Sequence, residues 1–222
     1  MKVAVMQPYF FPYIGYWRLL AKCDVFVIFD DVNYINKGFI DRNTIVVNGS
    51  PQYIKLKVAA RSQNKLICEL QIHEQPTAVA SLVKSAYVNA PHFHEFFPIV
   101  DEICNNEEPS LTHFLQHSIQ SIAQFLGIER EILLSSSILS DEMGREKIIP
   151  IVKHLGGTAY LNMEGGASLY DPDDFEKEGL AISLVSSGAT GVPGDRSGHY
   201  GPLSIIDTLM HADASTIREA IS

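Results

Sequence analysis

The chain has 222 residues, of which 46% are hydrophobic and 19% are charged, and its formal net charge at pH 7 is −9. This length and composition predict one soluble globular domain that can bury a substantial core. The negative charge argues against general binding to nucleic acid or to an anionic membrane surface. No run approaches about 18 apolar residues, so we expect no membrane span.

Cysteine usage and the N-terminus favour a cytoplasmic location. Cys23, Cys68 and Cys104 are far apart and odd in number, which is typical of reduced thiols. The N-terminus enters a short apolar run at once and lacks the features of a signal peptide. His113 and His117 have the i, i+4 spacing of metal ligands, but glutamines share their helix face, so no metal site is expected. The sequence does not identify a cofactor, which is therefore unknown.

The N-terminal residues predict a strand–helix–strand unit. Residues 3–6 and 25–29 are apolar runs without alternation, which is typical of strands buried on both faces of a parallel sheet. Residues 13–22 between them carry apolar residues at helical spacing. We therefore expect an α/β fold with an open, mostly parallel sheet of the Rossmann-like or HUP-like type.

The rest of the chain predicts a β-hairpin and a helical insert within a single domain, residues 1–222. Asn48-Gly49 between β-rich arms is the strongest short signal of a hairpin. Helical periodicity runs through residues 76–127, which we interpret as an insert or subdomain. Residues 186–202 hold five glycines and two prolines, which predicts a mobile loop or lid.

Polar residues follow the first two predicted strands at their carboxyl ends. Gln7 follows the first strand, and Asp30 and Asp31 follow the second. Because ligands bind outside the carboxyl ends of the strands in an open parallel sheet, we expect these side chains to line one pocket. The carboxylates could serve as a general base, hold a metal–phosphate pair or bind sugar hydroxyls; a turn cap and a solvated carboxylate are the structural alternative. With His199 of the late loop, Asp30 and Asp31 are the candidate catalytic residues.

The stretch MQPYFFPYIGYW, residues 6–17, stands between the first strand and the first helix. Its prolines fix the backbone, and Gly15 permits a close approach at the start of the helix. We expect some of its aromatic rings to line a cavity and stack on a sugar or a base, whereas a hydrophobic plug under the sheet edge is the alternative. Tyr9, Tyr13, Gly15 and Tyr16 are therefore candidate substrate contacts.

Later segments supply further candidate substrate contacts. Arg42 could bind a phosphate or carboxylate with its forked guanidinium group, or bridge to a neighbouring aspartate for structure alone. The glycine pair after the strand at residues 158–161 could turn its amides toward an anion. The late loop has a charge pattern suited to closure over a substrate, or no role at all. The residues concerned are Lys37, Arg42, Asn43, Glu164, Gly165, Gly166, Tyr170 and Arg196.

With these residues in view, the chain resembles the WbqC-like family, which occurs in bacterial gene clusters for O-antigen and other surface polysaccharides. The resemblance rests on QPYFFPYIGYWRLL, DVFVIFDDV, FIDRNTI, YLNMEGGASLYDPDDFEKEGL and LSIID, which follow one another over nearly the full length. Two positions depart from the family pattern. Thr44 stands where a second arginine is common, and Ala59 or Ala60 where a proline is common, which concerns the details of a basic pocket rather than membership.

The resemblance implies a cytoplasmic role in making or decorating an activated sugar, as a transferase of an acyl or aminoacyl group. The partner would be a small-molecule sugar nucleotide or an acyl or aminoacyl donor. Our leading hypothesis is a transferase for a nucleotide-activated amino sugar, with its pocket at Gln7, Asp31 and Arg42. The alternative is a non-catalytic binding or scaffold protein of the polysaccharide assembly machinery. The sequence leaves the donor, the acceptor and the oligomeric state open, a homo-oligomer included.

A more distant similarity links the chain to the nucleotidylyltransferase superfamily, which places an HxGH motif after its first strand. Here YIGY, residues 13–16, occupies that place. The histidines of that motif stabilise phosphates in the transition state. Tyrosine can donate hydrogen bonds but carries no positive charge at neutral pH. The similarity therefore implies a shared fold in which nucleotidyl transfer is lost or reworked. A diverged nucleotidyltransferase that retains this activity is the third hypothesis, and the absent histidines count against it.

Overall fold

The protein is described by a computed structural model, which covers residues 1–186 and 191–222. In chain order its strands are β1 (Lys2–Met6), β2 (Val25–Ile28), β3 (Arg42–Val47), β4 (Ser50–Lys55), β5 (Lys57–Val58), β6 (Ile72–Glu74), β7 (Glu131–Leu134), β8 (Ala159–Met163) and β9 (Ala181–Val185). Five of them form one sheet in the order β7-β2-β1-β8-β9, and all neighbours in it run parallel. The expected α/β fold with an open parallel sheet is confirmed.

Helices cover both faces of this sheet. In chain order they are α1 (Ile14–Lys22), α2 (Thr77–Tyr87), α3 (Phe93–Cys104), α4 (Leu111–Phe125), α5 (Ile148–His154), α6 (Pro172–Lys177), α7 (Ser197–Tyr200), α8 (Ile205–His211) and α9 (Ala214–Ile221). In β1, Val3 and Val5 belong to a buried cluster with residues of α5 and α6, whereas Ala4 belongs to a larger cluster with residues of α1 to α4, α8 and α9. Alternate side chains of one strand therefore enter two apolar layers, which is why its sequence is apolar without alternation.

The long connection between β2 and β7 contains the helices predicted for residues 76–127. Phe96 of α3 and Phe114 of α4 are fully buried in the same cluster as Phe26 of the sheet. The helical segment and the sheet therefore share an apolar core. Its description as an insert or subdomain of a single domain stays a prediction.

The strand order brings polar residues to one edge of the sheet. β1 lies between β2 and β8. The chain adds β2 and β7 on one side of β1 and then β8 and β9 on its other side, so the direction in which strands are added reverses at β1. In α/β sheets of this kind a crevice forms at that reversal, outside the carboxyl ends of the strands. We call this side of the molecule the carboxyl edge; it is formed by the residues that directly follow the five strands: Gln7, Phe29, Ser135, Glu164 and Ser186.

Strand β7 is missing from the elements predicted by sequence. Its four residues, EILL, form a run too short for a periodic signal, and they are only partly buried because β7 is an edge strand. All four nevertheless pair with β2, from Val25 opposite Glu131 to Ile28 opposite Leu134. This pairing brings the serines that follow β7 next to the aspartates that follow β2.

The hairpin predicted at Asn48-Gly49 is formed by β3 and β4. Both turn residues have left-handed backbone conformations, with φ of 48° and 74°, as a type I′ turn requires. Along β4 the side chain of Ile54 is buried, whereas those of Tyr53 and Lys55 are exposed. The predicted alternation of buried and wet faces is therefore present, and it leaves Lys55 exposed directly opposite Arg42.

The predicted lid, residues 186–202, lies partly outside the described residues, because 187–190 are not described. Its described part contains the short helix α7. No helix within the described ranges combines the length and the apolar character needed to cross a bilayer.

Candidate functional site

Asp30 stands at the carboxyl edge, where donors from the end of β7 bind both of its carboxylate oxygens. The side chain is fully buried. Oδ1 accepts hydrogen bonds from the backbone N–H of Ser136 at 3.0 Å and from the hydroxyl of Ser135 at 3.1 Å, and Oδ2 accepts from the Ser136 hydroxyl at 2.8 Å. Asp30 therefore joins β2 to β7 and fixes the position of the residue that follows it.

Asp31 forms an ion pair with Lys147, in which the two side chains are only 17% and 7% exposed. The Lys147 ammonium group also donates to the backbone carbonyl of Ser135 at 2.8 Å, and the Ser135 hydroxyl contacts the Asp31 carboxylate. That hydroxyl has one proton for two neighbouring carboxylates, so it can donate to only one at a time. Burying two opposite charges costs several kcal/mol per ion, roughly, which this set of contacts must offset.

A cavity of about 360 Å³ adjoins this ion pair. We call it the Asp31 cavity; it is lined by Asp31, Val32, Asn33, Leu66, Met143 and Gly144. Its volume lies in the range of small-molecule sites, roughly 300 to 1,000 Å³. Among these lining residues Asp31 carries the ionisable side chain, whereas Asp30 is fully buried and does not line the cavity. The structure thus separates the two adjacent aspartates into one that can reach a ligand and one that supports it.

Cys68 lies close to the same aspartates, because its backbone N–H donates to the carbonyl oxygen of Asp30 at 2.9 Å. Burial raises the pKa of its thiol, and the negative charges of Asp30 and Asp31 raise it further. A thiol that holds its proton is a weak nucleophile. Acid–base chemistry in this cavity therefore depends on Asp31 and its partner Lys147.

Gln7 emerges from β1 at the same edge, since Met6 pairs with Ile28 of β2. The residue is partly buried, and its side chain forms no hydrogen bond with the residues that the structure describes. The parallel strands thus bring Gln7 and the aspartates to one side of the sheet. The hydrogen bonds of the aspartates nevertheless run to β7 and Lys147 rather than toward β1.

The aromatic stretch after β1 is held in place by buried polar side chains. Phe11 has a left-handed backbone, with φ of 46°, and its carbonyl accepts from the Asn43 amide at 2.7 Å and from the Ser204 hydroxyl at 2.9 Å. The Asn43 amide also donates to the Phe10 carbonyl at 3.2 Å. Asn43 is 1% exposed. The structure therefore places Asn43 as a buried support for this loop.

The candidate tyrosines of this stretch form an aromatic cluster with Phe39. Ring centroids of Tyr9 and Tyr13 lie 5.5 and 5.9 Å from that of Phe39, and Tyr9 lies 5.6 Å from Tyr16. Burial, and secondarily Tyr13, raises the pKa of Tyr9 to about 12. Tyr16 and Gly15 are buried, while Tyr9 and Tyr13 are partly accessible. Part of this cluster is therefore buried and part reaches the surface, and stacking of its rings on a sugar or base stays a prediction.

Lys37 and Arg42 lie at a different cavity, of about 530 Å³, which we call the basic cavity. It is lined by Asn36, Lys37, Asp41, Arg42, Lys55 and Arg61. Asp41 is 4% exposed and pairs with Arg61 at 3.1 Å. Arg42 donates from Nε to the Gly38 carbonyl at 3.2 Å and from Nη2 to the Lys37 carbonyl. Arg42 therefore does not bridge to Asp30 or Asp31, and the basic groups form a site of their own.

The candidates after β8 lie in a 3₁₀ helix, Glu164–Leu169. Glu164 and Gly165 are exposed at the carboxyl edge. A Cβ atom at Gly166 would lie 2.8 Å from Nδ2 of the buried Asn162, so a larger residue there would displace the Asn162 amide. Tyr170 packs with Tyr160 and Phe175 beside a third cavity, of about 550 Å³.

The two candidates in the late loop have different surroundings. Arg196 forms a bidentate ion pair with the fully buried Asp207 of α8. His199 is an exposed residue of α7, and its ring packs against Tyr200 at 4.4 Å between centroids. The structure therefore brings neither residue into the Asp31 cavity or the basic cavity.

Comparison with known proteins decides the family. The model of the WbqC-like protein family matches residues 7–219, almost the whole chain. This chain belongs to the WbqC-like family. It is also 24% identical to "Uncharacterized protein Rv1507c" of Mycobacterium tuberculosis (strain ATCC 25618 / H37Rv) over 186 residues, which cover 82% of this chain and 80% of that protein. No solved structure matches.

The position of YIGY in this WbqC-like protein bears on the similarity to nucleotidylyltransferases. Tyr13 directly precedes α1, whereas Tyr16 lies within it, fully buried against Phe26 at 5.2 Å between ring centroids. Burial raises the pKa of Tyr16 well above its ordinary value. Tyr16 cannot reach a phosphate unless the core rearranges. The position of the second histidine of the HxGH motif is therefore occupied here by a side chain with a packing role.

Sequence reasoning missed two residues that line the basic cavity of this WbqC-like protein and three that bind the aspartates after β2: Lys55 and Arg61, and Ser135, Ser136 and Lys147. A run of three serines after an apolar segment was the available signal for Ser135 and Ser136, because hydroxyls after a strand commonly bind neighbouring carboxylates. Lys147 gave no signal, since 116 residues separate it from Asp31. Among the described residues, no group of three or more His, Cys, Asp or Glu side chains is arranged to hold a metal ion.

Proposed function

We propose that this protein is a transferase that moves an acyl or aminoacyl group onto a nucleotide-activated amino sugar in bacterial surface-polysaccharide biosynthesis. Membership of the WbqC-like family supports the biological setting. The observation that carries the chemistry is the Asp31–Lys147 ion pair, which is largely buried at the carboxyl edge and whose aspartate lines the Asp31 cavity. In open parallel α/β sheets this edge is where ligands bind.

The surroundings of Asp31 favour a chemical role over a purely structural one. A buried ion pair is commonly no more stabilising than apolar residues of the same volume, so stability alone gives little reason for it. Here a second group, the Ser135 hydroxyl, binds the carboxylate oxygen of Asp31 that Lys147 does not contact, and the backbone N–H of Asp30 donates to that hydroxyl at 3.1 Å. Such a support orients a reactive group before the substrate arrives, which lowers the cost of reaching the transition state.

In the proposed step, Asp31 is the general base. The amine of the amino sugar attacks the acyl carbon of the donor, a carbon–nitrogen bond forms, and the bond between that carbon and the leaving group breaks. The proton released by the amine passes to the Asp31 carboxylate, and Lys147 supplies a proton to the departing group. General acid–base catalysis of this kind contributes roughly 10²- to 10⁴-fold to a rate.

The experiment is a transfer assay with the purified protein. Nucleoside-diphosphate amino sugars are incubated with acyl-CoA or aminoacyl donors, and mass spectrometry detects the acylated sugar. Removing one member of a buried ion pair can unfold a protein, so the test variant is the double substitution Asp31→Asn with Lys147→Met, which removes both charges. We expect it to fold and to lose roughly 10²-fold or more of the transfer rate.

The matched control is Lys57→Met with Glu74→Gln. It removes an ion pair whose side chains are 67% and 53% exposed, on the antiparallel strands β5 and β6, and it should keep the full rate. Transfer by the Asp31/Lys147 variant at the control rate would refute the role of the ion pair. Absence of transfer by the wild type with every donor and acceptor would refute the transferase.

A further inference from the structure

We propose that the basic cavity binds the diphosphate of a nucleoside diphosphate sugar. Because this names the charged part of the substrate, it rests on the proposed transferase function. The basic cavity has its own lining residues, none of which lines the Asp31 cavity. The loop that leaves Asp31 reaches the basic cavity at Asn36, so one segment of chain borders both.

Charge is the first argument. Four basic side chains line this cavity against the single carboxylate of Asp41, in a chain whose formal net charge is −9. Asp41 is already engaged, since its carboxylate accepts from Arg61 at 3.1 Å. Among the described residues no carboxylate lies within 4.0 Å of the charged groups of Lys37, Arg42 or Lys55. A cluster of cations without carboxylate partners, in a protein of negative net charge, attracts an anion.

The second argument is the cross-strand position of two of these cations. Arg42 and Lys55 stand directly opposite each other in the β3–β4 hairpin. Like charges at such positions destabilise a hairpin. The ring of Tyr53 offsets this in part, with the Arg42 guanidinium carbon 4.8 Å and the Lys55 ammonium nitrogen 5.6 Å from its centroid. An anion placed between the two cations would convert the remaining repulsion into attraction.

The third argument is that the cavity is built in advance. The hydrogen bonds from Arg42 to the carbonyls of Gly38 and Lys37 fix its guanidinium group, and other N–H groups of the same fork stay free to bind a ligand. Lys37 has φ of 63°, a left-handed conformation that costs energy in a residue with a side chain. A fixed guanidinium fork binds phosphate oxygens in pairs.

Size and charge together favour a diphosphate over one phosphate or carboxylate. The volume of about 530 Å³ leaves room for more than a single anion. Three cations without a carboxylate partner match a ligand that carries two or three negative charges on adjacent groups. A nucleoside diphosphate sugar has this charge in its centre, which leaves the sugar free to extend toward a catalytic group.

The test is titration calorimetry of the whole protein with inorganic pyrophosphate, uridine, UMP, and the diphosphates UDP, GDP and dTDP. We expect at least one diphosphate to bind about tenfold or more tightly than uridine, with an affinity that falls as salt is added. The test variant is Lys55→Glu, which should weaken that binding about tenfold or more. It should fold at least as well as the wild type, because a glutamate opposite Arg42 replaces repulsion by attraction.

The charge-matched control is Lys177→Glu, at an exposed lysine beside the third cavity. It should leave diphosphate affinity unchanged. Equal affinity for uridine and every diphosphate, or unchanged affinity in Lys55→Glu, would overturn the assignment. A single-stranded oligonucleotide that binds more tightly than all of the diphosphates would also overturn it.

The two proposals can fail separately. The Asp31/Lys147 double variant should bind diphosphates like the wild type, because both charges lie outside the basic cavity. Diphosphate binding without any group transfer would refute the transferase and leave the basic cavity as an anion site. Transfer that proceeds at an unchanged KM in Lys55→Glu would refute the basic cavity and leave the transferase in place.

Discussion

Arg196 and Asp207 form a bidentate ion pair in which the carboxylate is fully buried, with Nε 2.9 Å from Oδ2. The Tyr87 hydroxyl donates to the same carboxylate at 2.7 Å and accepts from the backbone N–H of Val46 at 3.0 Å. The described end of the late loop is thereby attached to α8, α2 and β3. The charge of Asp207 raises the pKa of Tyr87 beyond the effect of burial, so the phenol stays a donor.

We predict that Arg196→Ala lowers the free energy of unfolding by about 3 kcal/mol, because it leaves an unpaired charge at Asp207. Urea unfolding followed by circular dichroism measures the change. Arg145→Ala removes a pair with Glu146 in which both side chains are more than half exposed, and it should cost less than about 1 kcal/mol. Equal losses for the two variants would contradict a structural role for the buried pair.

A second prediction concerns the dependence of stability on alkaline pH. Burial raises the pKa of the Cys23 and Cys104 thiols from 9.0 to about 12. Between pH 9 and pH 12 the unfolded chain therefore loses protons that the folded protein keeps. Since stability falls with pH wherever the unfolded state binds fewer protons, each thiol reduces the free energy of unfolding by up to about 1.4 kcal/mol per pH unit in this window.

The measurement for this second prediction is urea unfolding at pH 8 and pH 10 in a reducing buffer, for the wild type and Cys104→Val. Valine fills a similar volume but has no proton to lose. Buried tyrosines such as Tyr16 add to the slope in both proteins, so the difference between the two slopes isolates the thiol. We expect the shallower slope in Cys104→Val, and identical slopes would show that this thiol does not couple to folding.

The third prediction concerns the support of the aromatic loop. Asn43→Ala removes the donors to the carbonyls of Phe10 and Phe11 and should cost about 2 kcal/mol, because the buried Phe10 carbonyl loses this partner and the Phe11 carbonyl keeps only the Ser204 hydroxyl. The single tryptophan, Trp17, donates to the Pro12 carbonyl in the same loop at 3.0 Å and reports its environment by fluorescence. Asn105→Ala removes an exposed amide-to-carbonyl bond of 2.7 Å, and it should change stability by less than about 0.5 kcal/mol. Equal changes in stability for Asn43→Ala and Asn105→Ala would contradict the support role of Asn43.

The elements that the sequence predicts correctly are those specified by a local pattern of residues. The strands β1 and β2, the helix between them and the hairpin at Asn48-Gly49 are each specified by residues close together in the chain. The carboxyl edge follows from parallel strands, so the position of Gln7 and Asp31 at that edge was also predictable.

What the sequence does not predict depends on contacts between distant segments. Lys147 reaches Asp31 only because β7 adds to β2, and no local feature of a single lysine indicates such a contact. Asn43 was a candidate ligand contact because its segment lies between the acidic pair and the hairpin. Its amide turns instead to the Phe11 carbonyl, which the tertiary fold alone brings near. Burial decides which polar residues of a motif face a ligand, and burial is a property of the whole structure.

The fourth prediction uses the two adjacent glycines after β8. Gly166→Ala should cost about 1 to 2 kcal/mol, because its Cβ would lie 2.8 Å from the amide of Asn162, which is held by its own hydrogen bond with the Met163 N–H at 2.8 Å. Gly165→Ala meets no atom within 4 Å and should be neutral or stabilising by up to about 1 kcal/mol, since alanine restricts the unfolded chain. Thermal unfolding of both variants compares them directly. The opposite order would mean that the loop turns the other glycine toward Asn162.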